Sequence, residues 1–159
     1  VAAVGLAFGM RVIAWSQNLD DSRAAEVGVE RVSKEALLAE SDVLSVHLVL
    51  SDRTRGLIDA DALAHMKPNA VLINTSRGPI VDEAALVEAL RGGVIAGAGL
   101  DVFDTEPLPT SHPLRSLPNT VITPHLGYVT RETYAIFYAD AIEAIAAFRS
   151  GAPIRVLGN

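Results

Sequence analysis

A guanidinium, two carboxylates and an imidazole stand at points where apolar runs end: Arg77, Asp101, Glu106 and His125. The most informative stretch is Val71 to Asp82. There an apolar run enters the polar residues Asn74, Thr75, Ser76 and Arg77, and then reaches an acidic helix start at Asp82. Open α/β sheets bind ligands outside the carboxyl ends of their strands, so these four polar residues are expected to face a crevice and not the core. A cation, a carboxylate and an imidazole at successive strand ends suit proton and hydride chemistry on a carbonyl. Singly, each has a plain reading. Arg77 ties down a loop, Glu106 is a solvated acid before Pro107, and His125 is a strand-end histidine with a backbone contact. The constellation is what points to chemistry.

Positioning such residues requires alternating strands and helices, and the pattern supplies them. Val12 to Trp15 is an apolar run of strand length, followed by a helix of modest quality from Asp20 to Val27. Ser33 caps a helix through Leu38, and Val43 to Leu50 reads as a strand around His47. Asp59 to Met66 is a capped helix stopped by Pro68, and Ala70 to Ile73 is a strand. Asp82 then caps the helix Glu83 to Leu90, whose end is marked by Gly92 and Gly93. Val94 to Val102 is a strand in which Gly97 and Gly99 imply close approach to the backbone. Phe103 to Pro118 is a proline-punctuated loop of the length that usually serves function. Val121 to Thr123 is the last strand. From Thr130 a helix runs to Phe148 and closes at Gly151, with Tyr134, Phe137, Tyr138, Ile142 and Ile145 expected as core or subunit-interface filler. This alternation predicts a doubly wound α/β domain, a parallel sheet covered by helices on both faces.

A dinucleotide-binding domain opens with a strand, a G-x-G-x-x-G turn and a helix whose N-terminus receives the pyrophosphate. The sequence contains no such motif. Val1 to Gly9 instead has the small, apolar pattern of the helix that follows those glycines, so the first strand and glycine-rich loop are read as missing. The ribose-reading position, normally an acidic residue at the end of the second strand, is Ser16, followed by Gln17 and Asn18. No carboxylate repels a 2′-phosphate there, and no arginine precedes Arg23 to welcome one.

At 159 residues the chain can bury a sizeable core. Its net charge of −6 and the lack of any basic run argue against a nucleic-acid surface and favour a small-molecule partner. Without cysteine there are neither disulfides nor thiolate metal sites, and no metal site is expected. No apolar run approaches the roughly 18 residues of a membrane helix, and no signal sequence opens the chain. A cytoplasmic soluble domain is the expectation.

Three blocks, Ser41 to Thr54, Met66 to Asp82, and Gly99 to Pro107 with Thr123 to Gly127, give nearly the whole chain a resemblance to the NAD(P)-dependent D-isomer-specific 2-hydroxyacid dehydrogenases. The resemblance implies a Rossmann-like nucleotide-binding domain over residues 1–128, incomplete at its N-terminus. A C-terminal helix and tail over 129–159 would return toward an absent substrate domain. It gives Arg77 the task of gripping the substrate carboxylate and carbonyl oxygen, which suits a planar guanidinium. His125 matches the acid/base residue, and Glu106 the carboxylate that orients it; the related formate dehydrogenases carry a glutamine there. Asp101 matches the residue that holds the nicotinamide carboxamide, and Thr75, Ser76, Arg77, His125 and Gly127 lie along the cofactor. Leu48, Val49 and Thr54 fall on the adenine side and Ser16 at the ribose, although His47-Leu-Val departs from the family's His-x-Pro. His65 and His112 match nothing and are read as surface residues.

The implied reaction moves a hydride between a nicotinamide, NAD with NADP left open, and a small D-2-hydroxy or 2-oxo acid, in a protein that is commonly a homodimer. An NAD-sensing module of the corepressor type and an inactive remnant are the alternatives.

Overall fold

The computed structural model describes residues 1–157 and divides into two compact units, one from Val1 to Pro124 and one from His125 onward. In the first unit the elements follow as α1 (Ala2–Ala7), β1 (Ile13–Ala14), α2 (Asp21–Glu26), β2 (Glu30–Arg31), α3 (Lys34–Glu40), β3 (Val43–Val46), α4 (Ala60–Ala64), β4 (Val71–Asn74), α5 (Glu83–Arg91), β5 (Gly97–Leu100) and β6 (Thr120–Ile122). The second unit holds the long helix α6 (Arg131–Arg149).

Every strand pairing is parallel, as the alternation predicts. The strands form a four-stranded sheet in the order β3-β4-β5-β6 and a separate pair, β1-β2. The register sets Val46 beside Asn74, Asn74 beside Leu100 and Leu100 beside Ile122, so the carboxyl ends of all four strands open at one edge. Among the described residues no strand pairs with the outer edge of β3, and Val43 there is 54% exposed.

Side-chain caps set the helix starts. Asp20, Ser33, Asp59 and Asp82 each accept the backbone N–H three residues on, and Thr130 does the same at α6. Each such cap contributes about 1 kcal/mol. Alternate residues of the strands and one face of α4 and α5 bury Leu44, Val46, Leu63, Leu72, Leu86, Leu90 and Leu100 in one core with Ile80, Ile95 and Leu114. Truncating any of these to alanine would cost about 2–5 kcal/mol.

The glycines of β5 are explained by their neighbours. A β-carbon on Gly97 would meet the Asn119 carbonyl oxygen at 2.8 Å, and one on Gly99 the Ile73 Cδ1 at 2.9 Å.

Several expectations need correction. The strand expected over Val94 to Val102 is confined to Gly97–Leu100, because Val94 still closes the preceding helix by donating its N–H to Ala89. The two-residue strand β2 carries no apolar run to announce it. The α6 aromatics are not core: no residue of that helix is buried, and Phe137, Tyr138, Ile142 and Ile145 are all more than half exposed. Tyr128 stacks on Phe137 within that unit, with ring centroids 6.1 Å apart.

Candidate functional site

The elbow after β4 is built by Asn74. This side chain is buried, contrary to the expectation that it faces a crevice, and its amide is spent on the backbone. Nδ2 donates to the Arg77 carbonyl at 2.9 Å, and Oδ1 accepts the Ser76 N–H at 3.1 Å. The chain folds this way because an asparagine at a strand end can imitate a turn with its own side chain. Ser76 extends the bracing by donating its hydroxyl to the Val46 carbonyl at the end of β3, 2.8 Å away. Thr75 and Arg77 remain exposed, with the guanidinium turned back far enough to donate to the Ser76 carbonyl at 2.6 Å. Beyond Arg77 a single 3-10 turn, Gly78–Ile80, is stitched to residues 56–58: Gly56 donates to Pro79, Ile58 to Ile80, and Asp82 back to Ile58. Arg77 therefore projects from a rigid base.

On the next strand the Asp101 N–H bonds to the Asn74 carbonyl at 3.0 Å, and its carboxylate, buried to 5% exposure, accepts the Thr123 hydroxyl. The strand register and this hydroxyl fix the direction of the Asp101 carboxylate. Val102 and Phe103 then run buried beneath the loop, and the Phe103 N–H donates to Glu106 Oε1 at 2.9 Å. Glu106 itself is exposed and precedes a cis peptide to Pro107. Ser76, Arg77, Asp101 and Glu106 thus share the carboxyl edge of one sheet, as expected.

The adenine-side residues divide. The Thr54 hydroxyl is used in closing its own turn, donating to the Val49 carbonyl and accepting the Ser51 N–H, both at 2.8 Å. Leu48 packs on the core, while Val49 is 84% exposed. Ser16 is half-buried just beyond β1, and its carbonyl accepts the Leu19 N–H.

His125 and Gly127 open the second unit. His125 has φ +57°, a left-handed conformation uncommon for a residue with a side chain and concentrated at functional sites, and its ring lies edge-on to Tyr128 at 5.9 Å.

Two residues were misjudged from sequence. Asn74 carries the elbow, and its signal was its place between an apolar run and Thr-Ser-Arg. His112, read as a surface residue, is half-buried and lies 3.1 Å from Glu83. His65 is a surface residue as expected, its side chain 56% exposed. Among the described residues no cluster of histidine and carboxylates could hold a metal ion, and no helix is long and apolar enough to cross a membrane.

Residues 1–127 match the family model of the D-isomer specific 2-hydroxyacid dehydrogenase NAD-binding domain. The chain is 50% identical over 151 residues to the glyoxylate reductase of Aeropyrum pernix, covering 95% of this chain and 45% of that protein. It is 46% identical over 139 residues to the D-3-phosphoglycerate dehydrogenase of Mycobacterium tuberculosis, covering 87% of this chain and 26% of that one. The chain therefore spans less than half the length of these curated relatives. Among solved structures, phosphoglycerate oxidoreductase from Vibrio cholerae superposes with a TM-score of 0.87 at 38% identity, over 95% of this chain and 49% of that one. D-lactate dehydrogenase from Aquifex aeolicus, complexed with NAD and lactic acid, superposes with a TM-score of 0.79 at 34% identity, over 96% and 50%. The motifs, the parallel sheet and these likenesses agree: the chain belongs to the D-isomer-specific 2-hydroxyacid dehydrogenase family and carries its Rossmann-like NAD-binding domain.

Proposed function

We propose that this chain is the nucleotide-binding half of a cytoplasmic, homodimeric oxidoreductase that interconverts a small D-2-hydroxy acid and its 2-oxo acid, with neither nucleic acid nor membrane as partner. Residues 1–128 form that half, and 129–159 lead back toward a substrate domain. The observation that carries the reading is the braced elbow: buried Asn74 holds both flanks of an exposed Arg77 at the carboxyl edge of a parallel sheet, beside buried Asp101.

The donor set fits the nicotinamide half of NAD, since Asp101 offers a desolvated carboxylate to an amide N–H and Thr75 an exposed hydroxyl. When bound, the nicotinamide gives or takes the hydride. Arg77 grips the substrate carboxylate with two parallel N–H bonds and polarises the 2-oxo oxygen. His125 gives a proton to that oxygen in reduction and takes it back in oxidation, imidazole being the side chain that titrates nearest neutrality. Glu106 takes the part of the carboxylate that the family pairs with its acid/base histidine. Ser16 reads the ribose, Leu48, Val49 and Thr54 the adenine side, and Ser76 and Gly127 the remaining cofactor contacts.

The relatives are named as reductases and dehydrogenases, which favours catalysis over an NAD-sensing module or an inactive remnant. The test is turnover by the whole enzyme, the chain joined to the half it does not span, with NADH and a panel of 2-oxo acids. No turnover on any of them would defeat the reading.

A further inference from the structure

One pair of half-buried ionisable side chains has no part in the chemistry above. Glu83 is the first residue of α5, and His112 lies inside the Phe103–Pro118 loop; their side chains are only 18% and 20% exposed. Glu83 Oε1 is 3.1 Å from His112 Nε2, and Glu83 Oε2 accepts the Asp104 N–H at 3.2 Å. On the other side of the ring, His112 Nδ1 accepts the Leu114 N–H at 3.3 Å. An imidazole whose Nδ1 accepts carries its proton on Nε2, so the ring donates to Glu83. Both carboxylate oxygens and both ring nitrogens are therefore engaged. Together they tie residues 104, 112 and 114 of the loop to the first turn of one helix.

The turn so held carries Glu106. Asp104, Thr105 and Glu106 are all exposed, so little apolar burial fixes them, yet the Phe103 N–H one residue before the Glu83 contact donates to Glu106 Oε1 at 2.9 Å. A carboxylate on an exposed turn keeps a defined direction only if the turn's backbone is anchored. The anchor also crowds charge: the Asp104 carboxyl is raised above its ordinary value by desolvation, and then by Glu83 and Asp82 beside it. Glu83 sits beside the Asp104 carboxylate while its own oxygens hold the Asp104 N–H and the His112 ring.

We infer that Glu83 and His112 form a positioning latch, in which the carboxylate of Glu83 holds the Asp104 N–H and the His112 Nε2–H and so fixes the direction of Glu106. The inference rests on the role proposed for Glu106.

Amide hydrogen exchange on the 159-residue chain tests the latch itself. Glu83→Ala should speed exchange at Phe103 and Asp104 about tenfold or more, while the Leu72 and Ala89 amides stay protected. His112→Leu should speed it as well. His112→Gln, whose amide can donate from near the Nε2 position, should restore slow exchange. A packing role would instead favour leucine over glutamine. Unchanged exchange in Glu83→Ala, or leucine serving as well as glutamine, overturns the latch. Should Glu83→Ala lose core protection as well, the His112 pair decides. In the whole enzyme His112→Leu should lower kcat with KM unchanged and His112→Gln should recover it; equal kcat in both overturns the positioning role. Full turnover in Glu106→Gln would instead remove the proposed role of Glu106, while the exchange result on the latch would stand.

Discussion

A β-carbon on Gly78 would lie 2.1 Å from the carbonyl carbon of Phe103 and 2.2 Å from its oxygen. The elbow that presents Arg77 and the segment that leads to Glu106 are thus pressed backbone against backbone. Their relative position is set by a residue with no side chain. Neither backbone is free to yield, since Gly78 begins the turn stitched to residues 56–58 and Phe103 is buried in the core. Gly78→Ala should destabilise the chain by about 1–3 kcal/mol, toward the upper end because backbone and not a flexible side chain is struck. Urea unfolding of the chain would measure it, and wild-type stability would mean the two segments slide easily past one another.

Arg77 should tolerate no cationic replacement. In the whole enzyme Arg77→Ala is expected to cost about a hundredfold or more in kcat/KM, the usual loss when one transition-state contact is removed. Arg77→Lys should recover little, because an ammonium is a point charge and cannot make two parallel bonds to a carboxylate. Steady-state kinetics with near-normal rates for lysine would show that the substrate anchor lies elsewhere.

Glu106→Gln separates structure from chemistry at one position. The glutamine carbonyl can still accept the Phe103 N–H now taken by Oε1, so thermal unfolding of the chain should be unchanged. The negative charge is lost, and turnover in the whole enzyme should fall about tenfold or more. A drop in stability without a drop in turnover would assign Glu106 to the loop and not to the reaction.

Asp104 supplies a pH dependence. Its carboxyl is raised in the fold by desolvation and by neighbouring Glu83 and Asp82, so the fold favours the protonated form more than the unfolded chain does. Between the ordinary aspartate value and the raised one the folded state binds more protons, and stability falls as pH rises through that window. Asp104→Asn should therefore stabilise the chain at neutral pH, by less than about 1 kcal/mol since solvent screens so exposed a group. The gain should vanish below the ordinary aspartate range. Chemical denaturation across that range would check it, and a destabilised Asn variant at neutral pH would show that Arg55 outweighs the carboxylates.

The alternation of strands and helices was legible because period and caps are local: Ser33, Asp59, Asp82 and Thr130 each do in the structure what their spacing implies. The strand ends that hold Arg77 and Asp101 followed from that alternation. Where the sequence misled, the cause was a partner that residue type alone does not announce. Asn74 was placed at the crevice because its type is polar, yet its polarity is consumed by the elbow. His112 passed for a surface residue because its partner, Glu83, is supplied by another element. The apolar side of α6 reads as core by composition, but the residues that bury such a side are not encoded in the helix itself.

NAD affinity of the chain itself follows from which groups it holds. The pyrophosphate of a dinucleotide is received by a glycine turn and the N-terminus of the helix behind it, where backbone N–H groups and the helix dipole meet its charge. This sequence has no G-x-G-x-x-G turn, and α1, Ala2–Ala7, is a short helix without a side-chain cap. The nicotinamide side, through Thr75 and Asp101, stands on the intact four-stranded sheet. Contacts at one end alone should give NAD a dissociation constant of about a millimolar or weaker, near 4 kcal/mol of binding free energy. The 159-residue chain by itself should show no measurable dehydrogenase activity. Titration calorimetry with NAD would decide the first point: a micromolar constant would mean that another segment of this chain holds the pyrophosphate.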